Sequence, residues 1–307
     1  MRVVFLGTPE VSAVALAAIL DSHHDVVAVV TQPDKPRGRS GAPQASEVKT
    51  LAIEHDVPVL QPPTPKDEGF AARLSRFEPE VLAVVAYGHI LPLNVLHVAP
   101  AINAHFSLLP KYRGAAPVQR AIEAGEHQTG VTTFLLEAGV DSGPMLYQER
   151  VAIGDDETAG ELLMRLGPVG ARLLLASLDA LETGTLEPQQ QDPAAATPAR
   201  KVTVEEAQID WSRPAAQIAC KVRAFNPSPG AWTTWRGKRV KIWRAETAGG
   251  SAAPGDPAHG AEIGTGEGLL KLVEVQPEGG KRMSGEDFAR GHVKGRAGRF
   301  GEPAEPG

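Results

Sequence analysis

Along the first 180 or so residues, short apolar runs alternate with stretches of helical periodicity. Residues 2–6 are apolar and β-branched, and residues 11–20 follow as a helical run behind Gly7-Thr8-Pro9-Glu10. Thr8 as N-cap with Pro9 at the first helical position is the start signal this order predicts. A second strand over 26–31 ends at Gln32-Pro33-Asp34-Lys35-Pro36-Arg37-Gly38-Arg39-Ser40-Gly41. Strand-to-helix loops usually take roughly 2–6 residues, so one this long and basic is a functional candidate as well as a solvated surface loop. A helix near 46–55, a short strand over 57–60 and a helix over 67–77 come next. Residues 81–86 are apolar without interruption, as expected of a strand buried on both faces. A short helix over 93–98 leads to a strand over 101–105, a helix over 116–124 and strands over 130–136 and 145–153. A long amphipathic helix over 157–181 closes the series, kinked or paused at Gly167-Pro168. This βαβα alternation predicts an α/β domain over 1–182, a doubly wound, mainly parallel, Rossmann-like sheet.

The pattern changes at residue 183. Gly, Gln, Pro and Ala dominate residues 183–199 with hardly a large apolar side chain, which predicts a linker over 183–200. Beyond it come short helical stretches at 204–206 and 215–223. Segments rich in Val, Ile and Trp at 231–236 and 239–244 predict a small C-terminal β-barrel, OB-like, over 201–307. All four tryptophans, Trp211, Trp232, Trp235 and Trp243, fall in this part. They read first as barrel core and second as base-stacking platforms. Residues 297–307 are rich in Gly, Pro and Glu and are expected to fray.

Composition narrows the classes. A 307-residue chain exceeds one ordinary core, and 42% hydrophobic with 22% charged residues is a folded, soluble composition. The apolar runs are far below the roughly 18 residues a membrane span needs. Pro9 and Glu10 interrupt the N-terminus before a signal-like run forms, so no secretory signal is expected. The single cysteine, Cys220, excludes an intramolecular disulfide and a cysteine zinc cluster; it reads as a packing residue in a cytoplasmic protein. The nine histidines show no paired ligand spacing with supporting Cys or Glu, so no metal is expected. Charge is unevenly divided: residues 1–200 carry a net −9 and residues 201–307 a net +3. A mildly basic end on an acidic body is weak evidence for a polyanionic partner.

The candidate chemistry sits at the end of the 101–105 strand. Alternation puts Asn103 and His105 on one side, and Asp141 follows in Gly139-Val140-Asp141-Ser142-Gly143. An amide donor, an imidazole and an orienting carboxylate, with no serine, cysteine or metal among them, suit acyl transfer to an outside nucleophile. Each alone also reads as a strand-end Asn, a satisfied histidine and a turn Asp. The strand–Gly7–helix opening holds one glycine where a dinucleotide fingerprint needs three, which disfavours an oxidoreductase.

Asn103-Ala104-His105-Phe106-Ser107-Leu108-Leu109-Pro110-Lys111-Tyr112-Arg113-Gly114, followed by Gly130-Val131-Thr132 and Gly139–Gly143, resembles the signature of folate-dependent formyltransferases. The resemblance implies that Asn103, His105 and Asp141 are catalytic. It implies further that Ser107, Leu108, Leu109 and Pro110, with the loop Tyr87, Gly88, His89 and Ile90, bind 10-formyltetrahydrofolate as co-substrate. Gly7–Glu10, Thr31–Asp34 and Arg113–Arg120 resemble the branch that formylates methionyl-initiator tRNA. Ile209-Asp210-Trp211, Arg223–Pro227 and Gln276–Ser284 resemble that branch's tRNA-binding domain. A cytoplasmic monomer that acts in translation initiation is implied. Arg39 matches a loop arginine of substrate recognition, although Ser40-Gly41-Ala42-Pro43 stands where the family is commonly richer in lysine. Lys238, Arg239, Lys241 and Arg244 are the candidate phosphate contacts. The chain is several residues short of the family pattern between Pro254 and Gly266. Competing readings are a formyltransferase acting on an amino-sugar nucleotide or ribonucleotide amine, and a non-catalytic RNA-binding protein.

Overall fold

In the computed structural model, which describes residues 1–36 and 43–302, the apolar runs of the first half pair into one seven-stranded sheet. Its spatial order is β5 (Val59–Leu60), β2 (Asp25–Val30), β1 (Arg2–Gly7), β6 (Val81–Val85), β7 (Ala101–His105), β8 (Gln128–Leu135) and β9 (Met145–Ala152). The first five run parallel, and β8 runs antiparallel to both of its neighbours, β7 and β9. A two-stranded ribbon of β3 (Lys35–Pro36) and β4 (Pro43–Gln44) stands apart from the sheet. Helices α1 (Glu10–Leu20), α2 (Glu47–Glu54), α3 (Glu68–Ser75), α4 (Leu93–Leu96), α5 (Pro117–Glu123) and α6 (Ala159–Glu182) connect or follow these strands. Both faces of the central strands are covered: Val4 and Leu6 join Phe70, Leu74 and Val95 in one core, while Val3 and Phe5 are fully buried on the other side. Such burial is why β6 is apolar at every position.

The chain leaves β1 for β2 on one side, and β6 lies on the other, so strand order reverses between β1 and β6. Ligands of open α/β sheets bind at the carboxyl ends of strands beside such a reversal. Gly7 ends β1 there because a Cβ would come within 2.7 Å of the Phe5 ring and of Ser12. The expected Thr8 cap is not formed. Helix α1 begins after Pro9 without a side-chain cap, and the Thr8 hydroxyl instead donates to the Tyr87 carbonyl across the reversal. Helix α6 runs unbroken through Gly167-Pro168. Gly167 lets α6 approach α1: a Cβ there would sit 3.2 Å from Val11.

Residues cluster into two compact units, one of Met1–Pro117, Gln128–Ala152 and Leu163–Ala199, the other of Val118–His127, Ile153–Leu162 and Arg200–Gly307. In the second, β10 (Ala231–Trp235), β11 (Lys238–Ala248), β13 (Leu269–Pro277) and β12 (Glu262–Gly264) pair in that order, all antiparallel, and β14 (Met283–Ser284) joins β13. This curled half-barrel packs Val240, Ile242, Leu270 and Val275 against Ile218 and Val222 of α7 (Ala215–Ala224) and Phe288 of α8 (Gly285–Phe288). The short helix expected at 204–206 is a turn: the Gln208 N–H closes on the Glu205 carbonyl, while the Trp232 indole donates to Val204 and the Lys221 ammonium to Glu206. The tryptophans divide. Trp211 and Trp235 are core, with ring centroids 5.7 and 4.7 Å from Phe300. Trp243 is equally buried, and it and the half-buried Trp232 also stack against cations, with Arg282 over Trp243 and Arg239 over Trp232, each at 4.0 Å.

Candidate active site

Strand β7 delivers Asn103 and His105 to the carboxyl edge of the sheet. Ile102 and Ala104 on its other face are buried, and Asn103 lies between Val84 of β6 and Phe134 of β8. The Asn103 side-chain amide has no hydrogen-bond partner among the described residues. A half-buried amide at a strand end is thereby free to bond water or a ligand. His105 is nearly buried; its Nε2 donates to the Tyr112 carbonyl at 2.8 Å, and the Phe134 ring stands edge-on to it. Its Nδ1 lies 3.6 Å from Asp141 Oδ2, an ion-pair distance too long for a good hydrogen bond. Asp141 Oδ2 itself accepts from the Gly114 backbone N–H at 2.7 Å. The backbone at Asp141 is left-handed, φ 49°, a conformation that Asp tolerates better than most residues.

The loop after β7 is held by strand side chains. Thr132 donates to the Ser107 carbonyl and accepts from the Leu109 N–H, and the Gln148 amide donates to both Thr132 and the Leu109 carbonyl. Ser107 and Leu109 are therefore buried supports, while Leu108 and Pro110 are half-exposed. Gly130 is needed beneath them, since a Cβ there would sit 2.5 Å from Leu108 and 2.1 Å from the Glu149 carbonyl. On the far side of β6, Tyr87 turns its ring into the core and its carbonyl outward, where Gln32 donates to it at 3.0 Å. Gly88 adopts φ 83° against Gln32, and His89 and Ile90 are exposed. Burial pushes the Tyr87 phenol up to about 12, and its hydroxyl is buried without a hydrogen-bond partner among the described residues. Ile90 and Val140 are 68% and 52% exposed, apolar side chains on two loops at this edge of the sheet. Asp34, just past β2, accepts from Lys49 and Gln61, and those bonds hold its carboxyl below the usual range. Arg39 lies outside the described residues.

Residues 1–178 match the formyl transferase family and residues 201–293 the formyl transferase C-terminal domain. Methionyl-tRNA formyltransferase of Stutzerimonas stutzeri is 44% identical over 310 residues, covering 96% of this chain and 99% of the relative. The chain belongs to the methionyl-tRNA formyltransferase family. Two solved structures share its fold. One is methionyl-tRNA formyltransferase from Clostridium thermocellum, with TM-score 0.59 and 18% identity, covering 81% of this chain and 94% of that one. The other is HypX from Aquifex aeolicus in complex with tetrahydrofolic acid, with TM-score 0.64 and 17% identity, covering all of this chain and 49% of that one.

Within this formyltransferase fold, the segment expected to be a linker does more than connect. Gln189 forms an antiparallel bridge to Met145, and Pro198 a parallel bridge to Arg113. Between them, the Gln191 side-chain carbonyl accepts from Arg113 Nε and Nη2 at 3.0 and 2.7 Å. Its amide nitrogen donates to the carbonyls of Asp141 and Gly143 at 2.9 and 2.7 Å. One amide thus fastens the Arg113 loop to the Asp141 loop. Composition hid it, because a Gln/Pro/Ala stretch carries no periodicity, and nothing in Gln189-Gln190-Gln191 marks the third glutamine without the fold.

The four C-terminal cations differ in availability. Lys238 and Arg239 are exposed, the latter stacked on Trp232. The Lys241 ammonium donates to the Pro229 carbonyl at 3.0 Å, and Arg244 is paired with Glu161.

Proposed function

We propose that the chain transfers the formyl group of 10-formyltetrahydrofolate to the α-amine of methionyl-initiator tRNA, a step in translation initiation. The supporting observation is the Asn103 amide, without a partner among the described residues, on one strand face with a His105 whose Nδ1 lies 3.6 Å from Asp141. The bound folate supplies an activated formyl group. Leu108, Pro110 and Ile90 offer apolar surface, and the Tyr87–Ile90 loop offers backbone polar groups, which together suit a flat heteroaromatic ring with polar edges.

The chain's own groups do the rest. The Asn103 amide and the Nδ1–H of charged His105 donate to the negative charge that develops on the formyl oxygen during amine attack. With Nε2–H held by the Tyr112 carbonyl, Nδ1 is the nitrogen that exchanges the proton. Asp141 faces that nitrogen and accepts, through water, the proton lost by the attacking amine. As the adduct collapses the formyl C–N10 bond breaks, N10 takes the Nδ1 proton of His105, and the proton on Asp141 returns to His105. Residues 1–182 carry this chemistry, 183–200 lead on from them while Gln191 braces the Asp141 loop, and 201–307 bind the acceptor tRNA through Lys238, Arg239, Lys241 and Arg244. Arg39 reads the acceptor end.

The test offers 10-formyltetrahydrofolate with methionyl-initiator tRNA, an amino-sugar nucleotide or an amino ribonucleotide. Turnover on the charged tRNA alone is expected. Faster turnover on either small amine would replace the acceptor, and tRNA binding without any turnover would replace the reaction.

A further inference from the structure

The turn joining α1 to β2 presents two adjacent histidines, His23 and His24, to the last turn of α6. That turn carries Asp179 and Glu182, which at a spacing of three share one helix face. His24 Nε2 lies 3.1 Å from Asp179 Oδ1, and His23 Nε2 lies 2.7 Å from Glu182 Oε2 and 3.8 Å from Asp179 Oδ1. One ligand atom from each of the four residues falls within 4.8 Å of all the others. We propose that His23, His24, Asp179 and Glu182 bind one divalent transition-metal ion of the zinc class, at a site separate from the formyl-transfer centre.

Geometry and donor chemistry both support this. Bonds of about 2.0–2.1 Å in a tetrahedral set place ligand atoms roughly 3.3–3.4 Å apart, a spacing that the observed separations bracket. Two imidazoles with two carboxylates select zinc, cobalt or nickel over magnesium and calcium, which prefer all-oxygen shells. The His24 side chain is fully buried and so held in place, whereas His23 and Asp179 are more than half exposed and leave a path for the ion. The Met1 ammonium donates to Glu182 Oε1 at 3.0 Å, which turns Oε2 inward, and lies 3.3 Å from His24 Nδ1. Ligation through His24 Nε2 puts the ring proton on Nδ1, so the Met1 group bonds it only as a neutral amine, and metal binding releases protons.

The location fixes the role. His24 precedes the first residue of β2, at the amino edge of the parallel strands, whereas His105 ends β7 at the carboxyl edge. The ion therefore takes no part in formyl transfer; it pins the end of α6 to the α1–β2 turn. A search for ligand spacing along the sequence could not find it, because His24 and Asp179 are 155 residues apart.

The experiment is calorimetric titration of the full-length, metal-stripped chain with zinc chloride, beside cobalt absorption spectroscopy and melting curves. His23→Ala combined with Glu182→Gln is the test variant, since both side chains are exposed enough to leave folding intact. The wild type is expected to bind one zinc, to raise its Tm on binding, and to give the intense visible bands of tetrahedral cobalt. The double variant should bind at least about tenfold more weakly and show no zinc-dependent rise in Tm. Saturation only at millimolar zinc, or equal affinity in the wild type and the variant, would overturn the site.

Discussion

His105 Nε2 donates to a backbone carbonyl that cannot give a proton back, so that nitrogen is protonated in every state of the ring. Neutral His105 is therefore the Nε2–H tautomer, and nitrogen NMR should report a proton-free Nδ1 at alkaline pH; a neutral Nδ1–H form would contradict the arrangement. Gln191 acts one step further out, as a positioning residue. Its amide holds two carbonyls of the loop on which Asp141 keeps its left-handed backbone. Gln191→Ala should lower kcat roughly 10–100-fold, as misplaced catalytic groups do, with little change in KM for folate. Unchanged kcat would show that the loop holds itself. Asn103 and His105 were legible in sequence because alternation on a strand needs no tertiary information. Gln191 was not, because its partners are 48–78 residues away and its neighbours are featureless in composition.

At the scale of elements, the apolar run 81–86 announced β6 correctly, since a strand buried on both faces has only one kind of residue to offer. The Thr8 cap failed for a physical reason: its hydroxyl oxygen accepts from the Gln32 backbone N–H instead of from the first turn of α1, while its proton goes to the Tyr87 carbonyl. Helix α6 ignored the expected interruption because burial of its apolar face outweighs one proline. Tyr87 ties β6 to the pH dependence of the fold. Burial raises its phenol to about 12, against about 10 in the unfolded chain. The unfolded chain thus ionises first, and stability should fall as pH rises from about 10 to about 12, being fully present below that window. Tyr87→Phe leaves no phenol to ionise and no unpartnered hydroxyl. It should flatten this alkaline loss in denaturant titrations, and an unchanged slope would assign the loss to other groups.

At the scale of the whole chain, the motif of the first half names the reaction while residues past 200 name the acceptor. Removing exposed Lys238 and Arg239 should raise KM for tRNA and reduce its salt slope by about one per lost phosphate contact. Arg244→Ala should change it less, because Glu161 already neutralises that guanidinium. Equal slopes in all three proteins would remove these cations from the interface. The central claim is that Asn103 and His105 stabilise the charge developed in formyl transfer to an aminoacyl-tRNA amine. Its most direct test is single-turnover transfer from 10-formyltetrahydrofolate to methionyl-initiator tRNA by the wild type, Asn103→Ala and His105→Ala. Each variant should lose on the order of 100–1,000-fold in rate while folding and binding tRNA normally. A folded Asn103→Ala or His105→Ala protein that transfers at the wild-type rate would contradict the account.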